Sequence, residues 1–117
     1  MKAHRSLTRR DILRHPASRI ALMIASEFYR ACERSGHVQN VKDCYERARE
    51  LMGILETVEL PEDVALRLKA VYAGCREREL LREASLVPEE VQRLSEQWAD
   101  LFSQASAALV KQERAYA

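Results

Sequence analysis

The residues that could carry chemistry in this chain are three histidines, three cysteines and two pairs of adjacent carboxylates. The histidines, His4, His15 and His37, lie in the amino-terminal segment or in a predicted loop. A metal site needs such ligands clustered, and a di-iron helical bundle needs Glu-x-x-His pairs on two helices. The sequence contains neither pattern. It therefore predicts no metal site and no cofactor.

The cysteines are also poor candidates for chemistry. Cys32, Cys44 and Cys75 are odd in number and lack the Cys-x-x-Cys spacing of redox and zinc motifs. An odd count argues against a disulfide framework and fits a reducing compartment. Because each lies on or near an apolar helical stripe, we expect buried free thiols.

The adjacent carboxylates lie at positions 62–63 and 89–90, directly after Pro61 and Pro88. Neighbouring residues do not face one another on a helix, so neither pair can act as an acid/base dyad. Proline at a helix start and acidic residues in the first turn are typical of helix amino termini. The chain also has no glycine-rich phosphate loop. We therefore predict no catalytic residues and infer that the protein is not an enzyme.

Four stretches of the chain repeat apolar residues at the i, i+3, i+4, i+7 spacing of an amphipathic helix. They cover about 17–34, 39–58, 62–84 and 89–113. Short connections between long helices favour antiparallel neighbours. The sequence predicts an all-α fold, with a basic arm or short helix over 1–15 before an antiparallel up-down four-helix bundle over 16–117.

The three glycines carry local expectations. Gly36 is placed to end the first long helix in the left-handed conformation. Gly53 and Gly74 lie inside predicted helices, where glycine costs about 1 kcal/mol relative to alanine. A close approach between helices at those two positions would explain them.

Charge divides the chain into a basic arm and a mildly acidic body. Residues 1–19 carry a net charge of +5 within a chain of net charge +1. The arm could contact nucleic acid, an anionic membrane or an acidic partner, or could be a solvated terminus. No apolar run approaches the roughly 18 residues of a membrane span, and no export signal is evident. We expect a cytoplasmic protein.

Binding to another protein is the function class that these patterns favour. The helices are too long for a helix-turn-helix and carry many glutamates, so the sequence does not favour nucleic acid as a partner. Several apolar residues exceed a single core stripe, namely Ala21, Leu22, Met23, Ala25, Tyr29, Leu66 and Ala70. Such a surplus fits a groove for an amphipathic helix, but equally a wide core stripe or a homodimer contact.

Each predicted helix contains a distinctive motif. The second helix ends in "ELMGILETVELPED", and the third carries "ALRLKAVY" and then "RELLREASL". The last helix contains "EVQRLSEQWADLF", and the first contains "HPASRIALMIASEFYRA". Over about 16–105, the order of these elements resembles that of the FliS family of flagellin export chaperones. The tyrosine-rich amino-terminal segment of the family is not recognisable, and Ser85 stands where asparagine is usual, so the chain resembles a divergent member.

The resemblance implies a cytoplasmic, non-enzymatic chaperone. Such a protein binds the amphipathic helical region of flagellin, or of a related secreted subunit, and prevents premature polymerisation. Our hypothetical client-binding residues are Ile24, Phe28, Leu68, Val71, Tyr72 and Trp98, all of which would also fit a bundle core. The family's amino-terminal segment covers the empty groove, a role that Ile12 and Leu13 could fill here. The alternatives are a homodimeric helical adaptor and a nonspecific DNA-binding regulator.

Overall fold

Every regular element that the structure describes is an α-helix. The computed structural model describes residues 9–77 and 88–115 of the chain. Its helices are α1 (Arg9–Ile12), α2 (Ala17–Glu33), α3 (Val38–Leu55), α4 (Glu62–Glu77) and α5 (Pro88–Ala115). The predicted all-α class is confirmed.

The long helices begin close to the predicted positions, but α3 ends earlier than the apolar pattern indicates. Its last residue is Leu55, whereas the pattern extends to position 58. The backbone N–H groups of Thr57 and Val58 donate to the carbonyls three residues before them, and the Thr57 hydroxyl bonds the Ile54 carbonyl. These tight turns close the helix. The predicted continuation of α4 to position 84, with "RELLREASL" and Ser85, lies outside the described residues.

The amino terminus of α2 is capped by a side chain from the far end of α5. Pro16 precedes the helix in an extended conformation (φ −63°, ψ 157°) and supplies no side-chain cap. Instead, the Glu113 carboxylate accepts hydrogen bonds from the Ser18 backbone N–H, at 3.2 Å, and from the Ser18 hydroxyl. A carboxylate at this place satisfies free N–H groups and complements the helix dipole. The start of α2 and the end of α5 are therefore held together.

Further contacts show that α2 and α5 run antiparallel. The Ser106 hydroxyl donates to the Ser18 carbonyl at 2.8 Å near one end of the pair. Towards the other end, the Tyr29 hydroxyl donates to Asp100 at 2.8 Å. Helix α2 also packs against α3, and α4 packs against α5. The up-down order of all four long helices stays a prediction.

An aromatic cluster forms the centre of the core. The Phe28 ring is fully buried, with centroid distances of 5.8 Å to Tyr45, 5.5 Å to Trp98 and 6.0 Å to Phe102. The Phe102 ring lies 6.1 Å from that of Tyr72 on α4. Rings from four helices therefore meet within one cluster, at separations that favour tilted and offset packing.

A buried carboxylate joins α2 to α3. Glu27 accepts hydrogen bonds from Arg47 Nε at 3.1 Å and from Arg30 Nη1 at 3.3 Å. The Glu27 side chain is 11% exposed, so both charge-assisted bonds are needed to offset the cost of removing it from water. The contact between Glu27 on α2 and Arg47 on α3 fixes the position of α3 along α2.

The expectations for the glycines were wrong. No heavy atom outside the local backbone lies within 4 Å of a Cβ built on Gly53 or Gly74, so neither permits a close helix contact. Gly36 does not adopt the left-handed conformation. Helix α2 instead ends with the Arg34 N–H donating to the Arg30 carbonyl at 3.0 Å.

Replacing Gly53 with alanine will stabilise the protein. The new methyl group enters open space. Alanine also gives the unfolded chain fewer backbone conformations than glycine does, so less conformational entropy is lost on folding. We expect the free energy of unfolding to rise by about 0.5–1 kcal/mol, measured by urea denaturation. An unchanged or lower value would mean that α3 is not helical at this position.

Replacing Arg47 with methionine will destabilise the protein, because the buried Glu27 carboxylate loses its better-buried partner. We expect a loss of about 1–3 kcal/mol in urea denaturation. The double variant Glu27→Met with Arg47→Met removes both charges and will recover to within about 1 kcal/mol of the original protein. A double variant as unstable as Arg47→Met alone would contradict this account.

Candidate functional site

An apolar groove lies between α4 and α5, with a cavity volume of about 400 Å³. Among the residues that the structure describes, its lining comes from these two helices. The lining residues are Val64, Arg67, Leu68, Ala70, Val71 and Gly74 from α4, and Trp98, Leu101, Gln104, Ala105 and Ala108 from α5. The volume is within the range of ligand-binding pockets.

The groove follows from the order of residues on the two helices. On α4, Val64, Leu68 and Val71 recur at the spacing of one helical face, as do Trp98, Leu101 and Ala105 on α5. Between the larger side chains the walls are made of alanine and glycine. A Cβ on Gly74 would meet nothing within 4 Å, so the space beside this residue is empty. In two closely packed helices, side chains would fill it.

Part of the apolar surface around the groove is open to solvent. Helix α4 packs against α5 rather than between two neighbours among the described helices. Leu66 on α4 is 61% exposed but does not line the groove, whereas Leu101, on the groove wall, is 36% exposed. A contiguous exposed apolar patch marks a binding surface, and Leu101 adds apolar area to the groove.

The structure divides the predicted client-binding residues into two groups. Leu68, Val71 and Trp98 come together as lining residues of the groove, although Leu68 and Trp98, 2% and 5% exposed, also belong to the core. Ile24 and Phe28 are fully buried in the core, away from solvent.

The other predicted residues lie outside the groove lining. Tyr72 is buried, and its ring packs against Phe102 on the core side of α4. Ile12 is buried in the core, and Leu13 is 43% exposed. Neither Ile12 nor Leu13 is among the residues that line the groove.

The surplus apolar residues of the sequence include only part of the groove lining. Of the surplus apolar residues, Ala70 lines the groove and Leu66 is exposed on the same helix. Ala21 and Ala25 are fully buried and belong to the core. The contribution of α5 beyond Trp98 was missed, because its stripe is continuous and does not reveal which part faces α4.

Two of the described lining residues are polar and interrupt the apolar lining. Arg67 lies in the second turn of α4, and Gln104 lies on α5. Arg67 is exposed and makes no ion pair within residues 9–77 and 88–115. The groove therefore has an apolar floor with a cation at its edge.

The described thiols are held in their neutral form. Burial, followed by the negative charge of Glu27, raises the pKa of Cys44, although nearby arginines oppose this. Burial also raises the pKa of the half-buried Cys32, with further contributions from Glu96, Glu33 and Asp100. Both thiols are free. Since the thiolate is the nucleophile, a raised pKa makes each a poor one at neutral pH.

The part of the chain that the structure describes contains no group of three His, Cys, Asp or Glu residues placed to hold a metal ion. Within the same residues, no helix has the length and apolar character required to cross a membrane.

Comparison of the chain with protein-family models, with curated proteins and with solved structures finds no match in any of the three.

Filling the groove will block apolar ligands. In the variant Gly74→Leu, a side chain enters the groove, whereas Gly53→Leu adds the same side chain on α3, where a new Cβ also meets open space. Trp98 lines the groove and is the only tryptophan in the chain. We expect a neutral apolar dye to quench Trp98 emission in the original protein and in Gly53→Leu, and to lose this effect in Gly74→Leu. Equal quenching in all three would place the dye elsewhere.

Proposed function

We propose that the protein is a cytoplasmic export chaperone that binds the amphipathic helical region of flagellin, or of a related secreted subunit, and prevents its premature polymerisation. The observation that carries the proposal is the open apolar groove between α4 and α5. An up-down four-helix bundle is part of the same proposal, because antiparallel long helices present such grooves along their length.

The groove suits a helix that supplies large apolar side chains. Leu68, Val71 and Trp98 offer an apolar floor, and the small residues Gly74 and Ala108 leave room for incoming groups. Each large apolar side chain buried there contributes about 1.5–3 kcal/mol. Two or three anchors spaced by one turn of an amphipathic helix would therefore sustain binding after the cost of association.

Binding of this kind would prevent a filament subunit from associating with other subunits, by mass action. A helix whose apolar face lies in the groove is unavailable for contact with other subunits, so its free concentration falls. The binding requires neither a cofactor nor catalysis. Release needs only competition for the same helix face, for example during transfer to an export apparatus.

The identification of the client rests on the resemblance to the FliS family. Among the elements that carry it, "ALRLKAVY" lies on α4 and contributes Leu68 and Val71 to the groove. The tryptophan of the last helix, Trp98, forms part of the opposite wall. Two elements of the resemblance thus contribute to one surface, which supports a client helix at this place.

A homodimeric adaptor is the second candidate. Leu66, 61% exposed on α4, favours it, because a second copy of the chain could cover this side chain. Such a dimer would bury the apolar surplus without a client. It predicts twice the monomer mass in light scattering at micromolar concentration, and a lower mass after Leu66→Lys.

The chaperone proposal predicts a stable one-to-one complex with flagellin or another export substrate encoded in the same genome. Purified proteins would be mixed and analysed by size-exclusion chromatography with light scattering. Gly74→Leu should weaken the complex about tenfold or more, because the added side chain occupies the place of a client anchor. Gly53→Leu is the matched control and should bind as the original protein does. Failure to bind any of these substrates would overturn the proposal.

A further inference from the structure

Among the described residues that line the groove, Arg67 is the one that carries a charge. Its neighbours on the floor, Leu68 and Val71, are apolar, and Gln104 on the opposite helix is neutral. Asp63 precedes Arg67 by one turn, but no ion pair joins the two. The guanidinium is therefore available to a ligand in the groove.

We propose that Arg67 selects client helices that carry a carboxylate at the edge of their apolar stripe, an inference that rests on the helix-binding function proposed above. A guanidinium offers paired N–H donors that match the two oxygens of Asp or Glu. A bound helix would exclude water from the apolar side of this pair, which strengthens the attraction relative to an exposed pair. A lysine or arginine at the same position of the client would meet like charge.

The position of Arg67 also gives the bound helix a direction. Arg67 lies in the second turn of α4, whereas the groove extends along the helix to Gly74. The acidic residue of the client must then lie towards the end of the groove near the α4 amino terminus. Its apolar anchors follow along the floor by Leu68 and Val71. An apolar groove without this charge would accept a helix in either direction.

The test uses three synthetic amphipathic helices that share one apolar stripe and differ only at an edge position, which holds Glu, Gln or Lys. Their binding to the full chain would be measured by fluorescence anisotropy at low and high salt. We expect the Glu peptide to bind about three- to tenfold more tightly than the Gln peptide, and the Lys peptide to bind most weakly. High salt should reduce these differences.

Three variants separate Arg67 from the general charge of α4. Arg67→Gln should abolish the preference among the peptides, and Arg67→Glu should reverse it in favour of Lys. Lys69→Glu makes the same change of charge two residues away, at an exposed position that does not line the groove, and should keep the preference. Far-UV circular dichroism would check that each variant folds.

The outcomes distinguish the inference from the proposed function. Equal binding of the Glu, Gln and Lys peptides, with loss of all three in Gly74→Leu, would preserve the groove and overturn the role of Arg67. A preference that changes equally in Arg67→Glu and Lys69→Glu would also overturn it. Absence of binding by any peptide, and by any export substrate, would overturn both.

Discussion

The packing of the Phe28 ring is the interaction on which the rest of this structure depends. The ring is fully buried and contacts aromatic residues from both neighbouring helices, Tyr45 on α3 and Trp98 and Phe102 on α5. Loss of such a ring costs about 3–5 kcal/mol, against a total stability of about 5–15 kcal/mol for a domain. The polar contacts, from Glu27 and Ser18, then fix the register of helices that the ring cluster has brought together.

Helix α5 connects this core to the groove. Trp98 shows the connection most directly, because its ring lies 5.5 Å from Phe28 on one side and its surface lines the groove on the other. Phe102 likewise contacts Phe28 within the core and Tyr72 on α4. One groove wall is therefore anchored by the core before any ligand arrives. A preformed wall reduces the ordering cost of binding.

Periodicity predicted the helices well, because each long helix has an apolar face of its own. It could not assign those faces to neighbours. Phe28 and Leu68 have the same apolar spacing in the sequence and both are buried, yet only Leu68 also lines the groove. The difference arises from the packing of α4 against α5, which no local pattern encodes. The end of α3 at Leu55 was missed for a similar reason, since the turn after it depends on a Thr57 hydroxyl bond.

The small size of many groove residues explains how a groove of this kind can remain open in water. Alanine and glycine at positions such as Ala105, Ala108 and Gly74 expose little apolar area each, so the empty groove carries a small hydration cost. The same residues cannot fill the space between α4 and α5 themselves. In the proposed complex, large side chains would therefore come from the client helix, and affinity would depend on their shape and spacing. A client rich in Leu, Ile, Phe or Met along one helical face would fit this lining.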